Sequence, residues 1–192
     1  LHVHRIEIYA EEFISIDETS KIDVTGLGYC GAAGTYGNNT GRTVGNTTAG
    51  GAGPGAGGSH GGKGGNYVFI APNSGNIDST LSGERYGNNL WPVHPGGGGG
   101  AHNMEGSNGG GVILLSAPII TCDGYIASNG EIANEELIQN GGSGAGAGGS
   151  IILSCEELAG VGTITANGGD GLGELDKPSG GGGGRILIEA PG

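Results

Sequence analysis

Two stretches of this chain repeat one another without a gap. GGGVILLSAPIITCDGYIASNG begins at Gly109 and GGSIILSCEELAGVGTITANGG at Gly148. In a register of 38 residues Leu115 falls on Leu153, Ala117 on Cys155, Ile120 on Leu158, Gly124 on Gly162 and Ile126 on Ile164. Asn129-Gly130 falls on Asn167-Gly168. A period of this size marks a solenoid, a propeller or an array, in which one repeat buries its apolar face only against the next.

Five apolar phrases close alike, at residues 6–10, 67–71, 113–117, 151–155 and 186–190. Their last positions are spaced by 61, 46, 38 and 35 residues, as expected of a constant core with excursions of declining length. Val112-Ile113-Leu114-Leu115 and Ile151-Ile152-Leu153 are apolar on both faces. Such runs suit parallel strands that are covered on both sides. Near the start, Ile6, Ile8 and Ala10, then Ile14 and Ile16, then Ile22 and Val24 alternate with other residues, the period of a strand. No helical stripe of useful length occurs; residues 132–139 come nearest and are too few. The expectation is one all-β domain over 1–192, a parallel β-solenoid of about five rungs, right-handed by the usual crossover rule.

Glycine contributes 49 of 192 residues and proline 7. That composition alone suggests disorder, but strong strands punctuate the glycine runs, and collagen's strict every-third-residue period is missing. The glycine-rich excursions at 30–65, 83–111, 131–149 and 170–184 are long for structureless loops. Glycine permits close backbone approach, and a polyproline-II-like chain must bond its amides laterally or to water. The runs are therefore expected to be ordered and packed on a flank of the solenoid.

A formal charge of −12 with only 7 Lys+Arg opposes nucleic-acid binding, which needs a basic footprint. No apolar run approaches 18 residues, so no membrane insertion by a helix is expected. Glu11, Glu12, Asp17, Glu18 and Asp23 cluster with only Arg5 and Lys21 beside them, which reads as solvated charge and not as a catalytic pair. Neither a catalytic triad pattern nor a phosphate loop occurs, so no enzyme and no cofactor is expected. Asp170, Glu174 and Asp176 are weak candidates for calcium. Cys122 and Cys155 lie on neighbouring repeats, where a disulfide or two buried thiols are both open readings. Asn38 and Asn46 head N-x-Thr acceptors for glycosylation. Trp91 with Tyr86 could form a platform for a glycan or another partner, or could cover the core.

The phrases IDVTGLGY (22–29), SHGGKGG (59–65), YGNNLWPVHPGGGGG (86–100) and SGGGGGRILIEAPG (179–192), with the two repeats, resemble a family of large glycine-rich β-solenoid repeat proteins. These are secreted or cell-surface proteins of protists, invertebrates and some bacteria. The resemblance covers essentially the whole chain. It implies an extracellular structural or adhesive role and carries no catalytic residues. A weaker likeness is to the glycine-rich tips of phage fibres and to glycine-rich antifreeze proteins. Open strand edges invite pairing, so self-association into a fibre or coat is expected through Leu1, His2, Val3 and His4 at one end and Ile186, Leu187 and Ile188 at the other. Leu1 opens within a strand-like phrase and Gly192 follows one, as in a segment of a longer array. The alternatives are an adhesin or glycan-binding module using the excursions and, less favoured, a polysaccharide-active enzyme.

Overall fold

A computed structural model describes residues 5–34, 39–70, 77–102, 104–134, 142–171 and 179–190. The chain is all-β and its main sheets are parallel. The strands are β1 (Arg5–Tyr9), β2 (Phe13–Ile16), β3 (Lys21–Asp23), β4 (Tyr67–Ile70), β5 (Ile77–Thr80), β6 (Val112–Ser116), β7 (Ile119–Cys122), β8 (Tyr125–Ala127), β9 (Ser150–Ser154), β10 (Glu157–Ala159), β11 (Thr163–Thr165) and β12 (Arg185–Glu189). One sheet has the order β1-β6-β9-β12, a second β10-β7-β2 and a third β11-β8-β3. The chain visits the three in the same sequence each time: β1-β2-β3, then β6-β7-β8, then β9-β10-β11.

The 38-residue repeat is the pairing register. Leu115 pairs with Leu153, Ile120 with Leu158 and Ile126 with Ile164. Because side chains alternate along a strand, this register points like residues the same way. Ile14, Ile113, Leu115, Ile120, Ile126, Ile151 and Leu153 from all three sheets meet in one core. The outward residues of the two central strands, β6 and β9, are also covered, with Val112 1% and Ile152 0% exposed. Part of that cover is the segment around buried Pro92, tied down where Ser150 Oγ donates to His94 O at 2.6 Å.

Four of the five apolar phrases take their places in the first sheet. The phrase at 67–71 does not: β4 pairs antiparallel with β5 in a separate hairpin, Tyr67 opposite Thr80. Pro72-Asn73-Ser74-Gly75 follows it, which is turn chemistry. In the first sheet β1, β6 and β9 are each followed by the next strand after two or three intervening residues. The expected five rungs are therefore four in this sheet and three in each of the others.

Ordered glycine runs leave the third sheet and return to the first, and main-chain hydrogen bonds join them side by side. In residues 142–149, Gly144 and Ala147 donate to Gly100 and Gly97, Ala145 and Gly148 to Ser179 and Gly182, and Gly146 and Gly149 to Glu131 and Ser128. The same residues accept from Ser107 and Gly110, from Gly58 and from Gly169. Donors thus change partner with a period of three, that of an extended threefold chain. Six neighbouring runs satisfy one central run, which answers where the amides of a helix-free, sheet-free segment go.

The first sheet is unevenly sealed along its length. Ile151 and Leu153 are fully buried, whereas Ile186 and Ile188, paired with them on β12, are 44% and 48% exposed. Leu153→Ala should accordingly cost about 2–5 kcal/mol, and Ile188→Ala less than about 1 kcal/mol. Urea unfolding of the two variants checks this; equal losses would mean that the column is not one core.

Candidate functional site: open strand edges and a buried polar cluster

The two outer strands of the first sheet are β1 and β12. Each presents one edge without a strand partner among the described residues, the arrangement that invites pairing with another chain. Ile186, Leu187 and Ile188 lie on β12 as expected. Leu1, His2, Val3 and His4 fall outside the described residues, and β1 begins at Arg5. On β1, Arg5 forms an ion pair with Glu7, Tyr9 Oη donates to Glu7 Oε2 at 3.0 Å, and Ile8 is 38% exposed.

The other candidate residues are scattered. Trp91 is about two-fifths exposed. Tyr86 turns inward: its hydroxyl donates to Pro95 O at 2.7 Å, and its ring lies 5.1 Å from His60 and 6.3 Å from both Tyr29 and His94. Burial, reinforced by Tyr29, raises the Tyr86 pKa well above its ordinary value. The face that a sugar would stack on is thus occupied by protein. Cys122 and Cys155 are free, buried thiols. The Cys122 thiol donates to Gly124 O at 3.8 Å, while Cys155 stands beside Ala117 and Glu156; burial pushes both thiols up. Asp170 is exposed, with its carbonyl accepting from Ala133 N, and Glu174 and Asp176 lie outside the described residues. Among the described residues no group of three or more His, Cys, Asp or Glu side chains could hold a metal ion. Asp17 shapes a turn: its carboxylate accepts from Thr19 N and Oγ1, which holds its pKa below the ordinary value. Asn46 sits on a turn, and Asn38 lies outside the described residues.

The feature that sequence reasoning missed is the cluster around His60, where the glycine layer meets β12. His60 is fully buried and its Nδ1 donates to Gly148 O at 2.9 Å. That bond assigns the proton of the neutral ring to Nδ1 and leaves a lone pair on Nε2. Burial pushes the His60 pKa down to about 4, with Arg185 and His94 adding to the effect. Arg185, the first residue of β12, donates from Nε to Asn89 Oδ1 at 2.8 Å. Its Nη1 and His60 Nε2 are both buried without a hydrogen-bond partner. Both face Gly87, whose φ is +86°; a Cβ there would stand 3.1 Å from Arg185 Nη1 and 3.5 Å from His60 Nε2. The cluster couples two layers of the fold, but nothing in SHGGKGG marks the histidine as buried.

Comparison of the chain with protein-family models, with curated proteins and with solved structures finds no match in any of the three.

Proposed function

We propose that the chain is an extracellular, non-catalytic structural module: a right-handed parallel β-solenoid flanked by polyglycine strands, which joins further copies into a fibre or coat through its strand edges. The observation that carries this is the exposure of Ile186 and Ile188 on β12 and of Ile8 on β1, in the same column as residues that are fully buried at the centre of the sheet. An uncapped core column beside an unpaired main-chain edge gains both hydrogen bonds and apolar burial from a neighbour. The joint is stepped, because β12 extends the first sheet one strand beyond β10 and β11. A partner therefore contributes strand to the second and third sheets as well.

The formal charge of −12 opposes close approach of copies, so screening by salt should favour assembly. Sedimentation and electron microscopy across concentration and ionic strength test the reading. Assemblies should grow with both, and Ile186→Lys together with Ile188→Lys should leave monomers with an unchanged circular-dichroism spectrum. A wild-type chain that stays monomeric at every concentration and salt would sink it.

A further inference from the structure

The turn at residues 43–47 is held by its own hydrogen bonds. Thr43 N donates to Thr47 O at 2.9 Å and Asn46 N to Thr43 O at 2.8 Å. Arg42 Nη1 donates to Asn46 O at 2.8 Å. Gly45 and Asn46 follow one another with φ of +74° and +58°. Asparagine tolerates that left-handed conformation better than most residues with a side chain. The turn leaves Thr47 and Thr48 exposed and Asn46 half-exposed. Asn46-Thr47-Thr48 is an N-x-Thr acceptor without proline.

A second, independent observation lies beside it. A cleft of about 440 Å³ runs between this turn and the cover of the first sheet, lined by Arg5, Tyr29, Asn46, Val93, His94 and Pro95 among others. That volume is in the range of small-molecule sites. Half-buried Val93 offers apolar surface to the C–H face of a pyranose, with the buried Tyr29 and Pro95 beneath it. His94 and Arg5 offer hydrogen-bonding groups to hydroxyls and to an acetamido carbonyl. Glu7 balances the Arg5 charge, so the cleft favours a neutral sugar over an anion.

We infer that Asn46 carries an N-linked glycan whose first sugars lie in this cleft. The inference rests on the extracellular reading, since the modification belongs to the secretory route. In the step itself Asn46 Nδ2 forms a C–N bond to the anomeric carbon of a diphosphate-activated oligosaccharide. The diphosphate departs with the bonding pair, and the amide gives up one proton. The glycan would then cover the side of the first sheet beside Arg5, at the start of β1, and leave β12, which does not line the cleft, clear for other contacts.

The test is production of the whole chain behind a secretion leader in a eukaryotic cell, with peptide mass mapping that reads Asn38 and Asn46 separately. The Asn46 peptide should carry a hexosamine-based mass in the wild type and in Thr48→Ser. It should carry none in Thr48→Ala, which keeps Asn46 and its turn. The Val93 methyl and His94 ring resonances should differ between the glycosylated wild type and Thr48→Ala. An unmodified Asn46 in folded, secreted wild type overturns the modification, and a glycan that leaves those resonances unmoved overturns its seat in the cleft. Sedimentation of Thr48→Ala reads self-association separately, so a failure of the assembly reading is recognised as such.

Discussion

Gly146→Ala should cost about 3 kcal/mol or more, while Gly183→Ala should leave stability within about 1 kcal/mol of the wild type. Both substitutions add one methyl group to a glycine run, and neither glycine has a positive φ. They differ in what the methyl meets. At Gly146 a Cβ would stand 1.8 Å from Asn108 O and 2.4 Å from Asn108 C. Those are main-chain atoms of the adjoining run, and that run is fixed in turn, since Glu131 N donates to Asn108 O at 2.9 Å. At Gly183 nothing lies within 4 Å. Overpacking of a core commonly costs about 1–3 kcal/mol, and an obstacle made of hydrogen-bonded backbone belongs at the top of that range. For a chain of this length the Gly146→Ala melting temperature should fall by about 6–12 °C. Thermal melts of the two variants side by side decide the matter. If both melted together, the lateral contacts of residues 142–149 would not be holding the structure.

The same contrast explains what could be read from the residues. Strand pairing was legible because the repeat is gapless: aligning Leu115 with Leu153 and Ile126 with Ile164 is the same act as pairing them. The order of the glycine runs was legible in kind, from the need to satisfy amides in long segments that cannot be helix or sheet. Their neighbours were not. Gly146 and Gly183 are one letter in sequence, and only the packing separates a glycine that admits nothing from one that faces open space. The hairpin at Tyr67–Ile70 shows the opposite error. The five apolar residues of the phrase at 67–71 satisfy the pattern of a first-sheet strand, and the distinguishing information sits in the sequence Pro-Asn-Ser-Gly that follows. Tyr86 and Trp91 share one aromatic phrase, which fits a platform and core cover equally; in the fold the Tyr86 ring lies against His60, His94 and Tyr29. That cluster draws on residues from 29 to 185, so no local pattern could announce it.

The cluster sets the last expectation, a loss of stability on mild acidification that traces to one residue. An unfolded histidine takes up its proton near pH 6.5, while His60 in the fold does so at about 4. Between those values the unfolded state holds more protons, so stability rises with pH there. The contribution is complete above about pH 6.5 and is lost as the pH falls towards 4. The groups that face the ring reinforce this. Arg185 and His94 oppose an imidazolium, Tyr86 stays neutral because burial raises its pKa, and the carbonyl of Gly148, which favours the charged ring, is outweighed by burial. The loss should be on the order of 3 kcal/mol. Asp17 also has a lowered pKa and loses its contribution in acid, so the wild-type profile alone does not isolate His60. His60→Gln keeps a side-chain N–H and does not titrate. Its stability at pH 7 should be lower than that of the wild type, and its decline between pH 7 and pH 4 shallower by most of that 3 kcal/mol. Urea unfolding at several pH values measures both slopes, and parallel profiles would show that His60 is not the titrating group. Because Arg185 opens β12, the protection of amides in that strand, taken against the intrinsic exchange rate at each pH, should fall over the same range, in the wild type more than in His60→Gln.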